Sequence, residues 1–142
     1  MPTQTFTYDV EEELYANQFT RTGYTFTGWY KDAECTEAYD FTTMPAENVT
    51  VYVGWVINEY TITLDTDGGT PIAPIKQNYG TAVATPSNPS KVGHTFAGWY
   101  SDEACTKAYT FTSMPAENIT VYAKWTVNQY TINFNTNEGT VI

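Results

Sequence analysis

One phrase occurs twice in this 142-residue sequence, and the repeat constrains every fold that the chain can adopt. GYTFTGWYKDAEC begins at Gly23 and returns as GHTFAGWYSDEAC at Gly93, an offset of 70 residues. The offset holds over 36 paired positions, of which 23 are identical. YTITLDTDGGT at Tyr60 returns as YTINFNTNEGT at Tyr130 with the same offset. The sequence therefore predicts tandem copies of one small module.

The repeat divides the chain into three predicted parts. Residues 1–58 form a first module without its opening strand, residues 59–129 a complete second module, and residues 130–142 the opening strand of a third. We therefore read the chain as a segment of a longer protein. An incomplete sheet leaves backbone groups unpaired. We expect head-to-tail strand exchange, in which the segment from Tyr130 to Ile142 completes the first module of another molecule. Its removal should abolish any oligomer.

Periodicity in the second module predicts mostly β-structure. Tyr60, Ile62 and Leu64 alternate with polar residues, the period of two that marks a half-buried strand. Further strand signals follow over residues 75–83, 95–100 and 119–125.

The two copies differ between their second and third strands. Asp9 and Glu12 have capping-box spacing, and the apolar residues after them have i,i+4 spacing. This pattern predicts a short helix over residues 10–18. In the second copy Pro86 and Pro89 remove backbone donors, so at most one helical turn is expected there.

GYTFTGWY, AYDF and NVTVYVGW in one copy, with GHTFAGWY, AYTF and NITVYAKW in the other, resemble the Listeria–Bacteroides repeat. That family is the B-repeat module of listerial internalins and of many other bacterial surface proteins. The resemblance implies an α+β, mainly β fold. It implies tandem β-grasp-like modules, each a small mixed sheet with a short helix or loop crossing it. It also implies an extracellular module that is not an enzyme.

We therefore expect a non-enzymatic structural and adhesive repeat module of a bacterial cell-surface or secreted protein. Short connections at Val56 and Thr126 contain almost no flexible residues, which favours a semi-rigid spacer. Its partners would be host or bacterial surface proteins or glycans. The alternative is a module that itself binds a host glycoprotein or a glycan through exposed tyrosine and tryptophan.

The aromatic residues of the repeated phrase are the candidates for ligand binding: Trp29, Tyr30, Trp99 and Tyr100. Strand alternation places Phe26 and Trp29 on opposite faces, so these aromatic side chains cannot all enter one core. Exposed rings would suit a ligand. The competing interpretation is packing in the core or between modules, because a module of about 70 residues needs large side chains for stability.

Charge and hydropathy exclude two classes of partner. Six basic and sixteen acidic residues leave a net charge of -10. Nucleic acid requires a basic surface, so it is not expected to bind. No apolar run approaches the roughly 20 residues that cross a bilayer, so direct membrane insertion is not expected.

No residue pattern predicts a catalytic, cofactor or metal site. His94 corresponds to Tyr24 in the other copy, which suits ring packing, and no Cys or His lies at ligand spacing from it. Asp65 and Asp67 faintly resemble a calcium loop, but turn chemistry explains them equally well. The acids Asp32, Glu34 and Glu37 are interpreted as a solvated face.

The two cysteines occupy equivalent positions in the two copies. Cys35 and Cys105 are interpreted as small, half-buried apolar residues. The alternatives are a reactive thiol or an intermolecular disulfide.

Overall fold

The structure, a computed structural model, describes residues 3, 5, 19–40, 42, 45–135 and 137–139. It contains β1 (Tyr24–Tyr30), β2 (Tyr52–Ile57), β3 (Glu59–Asp65), β4 (Ile75–Asn78), β5 (His94–Tyr100) and β6 (Ile119–Val127). These described residues contain no helix. The prediction of a mainly β fold is therefore confirmed.

The repeated phrase forms the same antiparallel strand pair in each copy. β1 pairs with β2, with Tyr24 opposite Ile57. β5 pairs with β6, with His94 opposite Val127. The offset of 70 residues in the sequence is therefore also an offset in strand register.

The second copy adds two strands to this pair. The four-stranded sheet has the order β4-β3-β6-β5. β3 and β6 are parallel, with Ile62 opposite Ile119 and Leu64 opposite Val121, whereas β5 and β6 are antiparallel. The sheet is therefore mixed, as the family resemblance implies.

The expected helices have different outcomes in the two copies. The helix predicted over residues 10–18 lies outside the described residues. In the second copy residues 83–91 contain no helical turn. Pro86 and Pro89 lie in this stretch, and proline both lacks the amide donor and clashes with a helical turn.

The second strand of the complete copy is shorter than the sequence pattern predicted. The pattern extended to Val83, but β4 ends at Asn78. A turn follows in which Gly80 has a φ of 73°. Pairing resumes only as an isolated bridge between Ala82 and Ser113. The left-handed glycine turns the chain out of the extended conformation.

Residues 130–135 repeat the sequence of β3 but do not form a strand in this structure. Tyr130, Ile132 and Phe134 are 77%, 79% and 84% exposed. A strand requires a neighbour for its backbone groups, and none pairs with these residues in the part of the chain that the structure describes.

The chain divides into two compact units. One comprises Met1–Tyr60, Lys76–Ala82 and Ser113–Glu117, and the other comprises Thr61–Ile75, Val83–Thr112 and Asn118–Ile142. The buried apolar residues of the second unit are Ile62, Leu64, Val83, Trp99, Phe111, Val121 and Ala123. Ile62 and Val121 have no exposed surface, so the core of this unit lies where the parallel strands β3 and β6 meet.

Replacing the buried isoleucine of β3 should destabilise the protein strongly. Ile62→Ala should lower the free energy of unfolding by about 2–5 kcal/mol, because a fully buried side chain leaves a cavity. The matched control is Ile132→Ala, 70 residues later, where the side chain is 79% exposed. Its effect should stay within about 0.5 kcal/mol. Urea unfolding of dilute samples, followed by tryptophan fluorescence, measures both variants, and equal losses would contradict the assignment of the core.

Candidate functional site

The four candidate ligand-binding aromatics lie at the ends of equivalent strands. Trp29 and Tyr30 end β1, and Trp99 and Tyr100 end β5. Trp99 is 5% exposed, so packing occupies almost all of its surface. Trp29, Tyr30 and Tyr100 are half-buried. Ligand binding by these residues stays a prediction.

A β-bulge overturns the prediction that Phe26 and Trp29 lie on opposite faces. The register between β1 and β2 shifts between Phe26 and Gly28, and Gly28 has a φ of 141°. A bulge inserts one residue into a strand and so shifts the alternation of its side chains by one. The rings of Phe26 and Trp29 consequently meet edge to face, with centroids 5.8 Å apart. The prediction was wrong because it assumed a regular strand.

The equivalent bulge in β5, between Phe96 and Gly98, brings the aromatic side chains of the second copy into one cluster. The Phe96 ring lies 5.4 Å from Trp99 and 5.7 Å from Trp125. Phe111 contacts Trp99 at 6.4 Å. Edge-to-face pairs at these distances contribute about 0.5–1.5 kcal/mol each beyond the area they bury. His94 also meets the edge of Trp125, at 6.4 Å, which agrees with the packing role expected for this histidine.

The turn after β3 covers the indole of Trp125. The indole Nε1 donates a hydrogen bond of 3.0 Å to the carbonyl of Thr66. A Cβ on Gly69 would lie 2.5 Å from Cζ2 of Trp125. Glycine is therefore required at this position of the DTDGG turn, because only a residue without a side chain allows the ring to approach so closely.

The tyrosines that follow the tryptophans have different surroundings in the two copies. A Cβ on Gly54 would lie 2.3 Å from the Tyr30 ring, so this tyrosine covers a glycine. The matching position in the second copy is Lys124, whose Nζ lies 4.7 Å from the centroid of the Tyr100 ring. The two tyrosines therefore offer chemically different surfaces, one neutral and one with an adjacent cation.

An aspartate organises the turn after each aromatic strand. The carboxylate of Asp102 accepts hydrogen bonds from the Thr106 amide, at 3.0 Å, the Thr106 hydroxyl, at 2.7 Å, and the Lys107 amide, at 2.7 Å. Asp32 accepts the equivalent bonds from Thr36 and Glu37. From the sequence, Asp32 is interpreted only as part of a solvated face. The signal for the structured turn is the Asp–Thr spacing of four residues, which is present in both copies.

These hydrogen bonds favour the ionised form of both aspartates. The pKa of Asp102 is lowered, chiefly by the hydrogen bond from the Thr106 hydroxyl. The pKa of Asp32 is lowered, chiefly by the hydrogen bond from the Glu37 amide. Each carboxylate thus has a structural role in holding its turn closed.

The cysteines lie inside these turns. Cys35 and Cys105 are free and half-buried, which agrees with their expected exposure. Both have positive φ, 56° and 51°, a conformation that few residues with a side chain adopt. Burial raises the pKa of the Cys105 thiol. A raised pKa leaves less of the nucleophilic thiolate at neutral pH.

The acids of the DTDGG turn make contacts with the turn itself and with a lysine. Asp65 Oδ1 accepts a hydrogen bond of 2.9 Å from the amide of Asp67. The Asp67 carboxylate contacts Lys91 Nζ at 3.2 Å. Among the described residues no group of three or more His, Cys, Asp or Glu side chains could hold a metal ion.

Two copies of one strand pair, with matching bulges and matching acidic turns, define a tandem-repeat protein. The chain belongs to the Listeria-Bacteroides repeat family, whose model matches residues 1–53 and 60–124.

Relatives from two bacteria align with most of the chain. Internalin H of Listeria monocytogenes is 42% identical over 113 residues, which are 77% of this chain and 20% of that protein. A protein of Evansella cellulosilytica named "Putative membrane protein" is 43% identical over 119 residues, 82% of this chain and 18% of that protein. The chain thus spans about a fifth of the length of these relatives. In the described part of the chain, no helix has the length and apolar character to span a membrane.

The acidic turns predict a pH dependence of stability. Because the pKa of Asp32 and of Asp102 is lower in the folded chain, their contribution is complete above the ordinary aspartate pKa of about 3.9. It is lost as the pH falls through the folded values. The melting temperature of the double variant Asp32→Asn/Asp102→Asn should therefore fall less steeply below about pH 4 than that of the natural chain.

The control for this experiment is Asp40→Asn. Asp40 is exposed and accepts no hydrogen bond within the described ranges. Its acid-induced loss of melting temperature should match that of the natural chain. If the double variant also matched the natural chain below pH 4, the proposed role of the two aspartates would be rejected.

Proposed function

We propose that this chain is a non-enzymatic repeat module of a bacterial cell-surface or secreted protein, and that it acts as a semi-rigid spacer and as an adhesive interaction unit. Family membership and the relationship to internalin H support a surface-protein repeat. The strand order β4-β3-β6-β5, with its parallel central pair, supports the β-grasp-like architecture that we propose for each module.

The hydrogen bonding of Asn58 is the observation that best supports the proposed spacer role. Asn58 is the one residue between β2 and β3. Its amide N–H donates to the carbonyl of Gly23 at 2.9 Å, and its side-chain oxygen accepts a bond of 2.6 Å from the Thr25 hydroxyl. Its Nδ2 lies 3.2 Å from the hydroxyl of Tyr60. Such a residue restricts the backbone where a glycine- or serine-rich linker would leave it free.

The arrangement recurs at the end of the second copy. The Asn128 amide donates to Gly93 at 2.9 Å, its side-chain oxygen accepts from Thr95 at 2.6 Å, and its Nδ2 lies 3.3 Å from the Tyr130 hydroxyl. A junction that repeats with the module would give a series of modules a uniform stiffness. Such a series would hold a distal domain away from the cell surface.

The alternative function is recognition of a host glycoprotein or a glycan. The half-buried tyrosines Tyr30 and Tyr100 favour it, because a partly exposed phenol ring offers both an apolar face and a hydroxyl. Trp29 is half-buried as well and would take part, whereas Trp99 would support the strand from within.

Loosening the first junction should make the spacer flexible. Asn58→Gly removes the side-chain bonds to Thr25 and Tyr60 and adds backbone freedom. Lifetime-resolved single-molecule FRET, with dyes on cysteines introduced at Thr27 and Thr112 and with Cys35 and Cys105 changed to serine, should show a broader distance distribution for this variant.

The matched control for the junction is Asn128→Gly. It removes the same bonds after the second copy, beyond both dye positions, so the distribution should not change. A natural chain that is already as broad as the Asn58→Gly variant would reject the semi-rigid spacer.

A glycan array tests the alternative. Loss of a bound glycan in the double variant Tyr30→Ala/Tyr100→Ala, with unchanged circular dichroism, would favour recognition. The control is Thr126→Ala, which replaces an exposed residue of β6 and should retain binding. An array on which the natural chain binds nothing would remove the support for a glycan ligand.

A further inference from the structure

The last strand of the repeat is shorter in the first copy than in the second. β6 begins at Ile119, and the equivalent of Ile119 in the first copy is Val49. β2 nevertheless begins only at Tyr52. Residues 49–51 (VTV) are nearly identical in sequence to residues 119–121 (ITV), which belong to β6. Residues 49–51 nevertheless do not have strand conformation.

The missing part of β2 corresponds to the part of β6 that contacts the opening strand. β3 pairs with residues 119–122 in parallel, with Ile62 opposite Ile119 and Leu64 opposite Val121. In the described residues no strand lies at the equivalent edge of β2. Val51 is half-buried, whereas its equivalent on the paired edge, Val121, is 0% exposed. Residues 49–52 thus form an unpaired edge whose natural occupant is a parallel strand of the β3 type.

Residues 130–135 have the chemistry of that occupant. Tyr130, Ile132 and Phe134 occupy the positions of Tyr60, Ile62 and Leu64. All three are more than three-quarters exposed, although they would form the buried face of a paired strand.

The turn after this segment is already formed. The Asn137 amide donates to Asn135 Oδ1 at 3.0 Å, as the Asp67 amide donates to Asp65 at 2.9 Å. Asn137 and Asp67 have φ values of 44° and 46°. The turn at the far end of the segment therefore already has the shape of the turn after β3, so this turn needs little further ordering on binding.

We propose that residues 49–52 are an interaction surface for a second copy of this chain, which adds its residues 132–135 as a parallel strand. The register follows from the β3–β6 pair, and it places Ile132 opposite Val49 and Phe134 opposite Val51. Main-chain hydrogen bonds supply affinity in strand addition, and the alternate side chains supply specificity.

A second contact would accompany the strand. In the complete module the Gly69 turn packs on the Trp125 ring. The equivalents are Gly139, which is exposed, and Trp55, which is half-buried. The turn of the incoming copy would cover Trp55 as Gly69 covers Trp125. Any side chain at residue 139 would obstruct this packing without disturbing the free chain, because Gly139 is exposed there.

The edge of the first copy is open where it begins, because Val49 is 40% exposed. The segment from Tyr130 repeats the sequence of β3, and it is exposed and pairs with no strand among the described residues. A second copy of this chain therefore carries a strand with the chemistry that this edge fits.

The contact joins two different surfaces, so two molecules can satisfy both of them only by exchanging their strands reciprocally. Head-to-tail contacts of this kind produce open chains, or rings where the rotation closes. The net charge of -10 opposes association at low ionic strength, and salt screens that repulsion. The mass in solution should therefore rise with both concentration and salt.

The first test uses multi-angle light scattering on the full chain. The natural chain should exceed the mass of one molecule as concentration rises, and Ile132→Lys/Phe134→Lys should remain at the mass of one molecule. Gly139→Val should weaken the association. The control Thr131→Lys/Asn133→Lys adds the same charge at the other face of the strand and should still associate. Circular dichroism should be unchanged in all of these variants, since their sites are exposed.

A natural chain that stays at the mass of one molecule at every concentration and salt would overturn the proposal. So would an oligomer that persists unchanged in Ile132→Lys/Phe134→Lys.

The second test determines the register of the proposed strand pair. With Cys35 and Cys105 changed to serine, cysteines at Thr50 and Asn133 lie directly opposite in the proposed pairing and should form intermolecular disulfides on mild oxidation. The control places cysteines at Thr50 and Phe134, on opposite faces, and should cross-link far less. Equal cross-linking of the two pairs, or disulfides only within single molecules, would overturn the proposed register and partner.

Discussion

The parallel contact between β3 and β6 is the interaction on which the complete module depends. It joins the first and last strands of the repeat and buries Ile62 and Val121 completely. Where β3 is present, the last strand extends from Ile119 to Val127. In the described part of the first copy no equivalent of β3 is paired, and there the last strand is three residues shorter. A parallel strand pair of this kind links distant parts of a chain, so it completes the module only after both ends of the repeat are in place.

Much of this arrangement could be predicted from the sequence, because strand periodicity and the offset of 70 are strong signals. The alternation of Tyr60, Ile62 and Leu64 identified β3, and the matched phrases identified the paired strands. The faces of the aromatics could not be predicted, because alternation holds only in a regular strand. Gly28 and Gly98 lie at bulges that shift the side chains by one position. Glycine inside a strand is a known sign of a bulge, but it does not reveal on which side the extra residue falls.

The contacts around the candidate site could be predicted less fully than the fold, for a related reason. The aromatics, acids and thiol of GYTFTGWYKDAEC are close in sequence, but the contacts that they make depend on the fold. Trp99 is buried, and Asp102 is engaged by backbone and hydroxyl donors. The residues most relevant to a spacer, Asn58 and Asn128, appeared only as linker positions. Their role depends on hydrogen bonds to residues 33 positions away, which local sequence patterns do not encode.

The parallel direction of β3 and β6 has a mechanical consequence. Because the two strands run side by side in the same direction, the chain enters the complete module at one end of the strand pair and leaves it at the other. Tension along the backbone at Glu59 and Val127 would therefore act along the strands and load their evenly spaced hydrogen bonds in shear, all at once. An antiparallel pair pulled from neighbouring ends would instead open one bond at a time. The β3–β6 pair would thus resist tension that is applied between Glu59 and Val127.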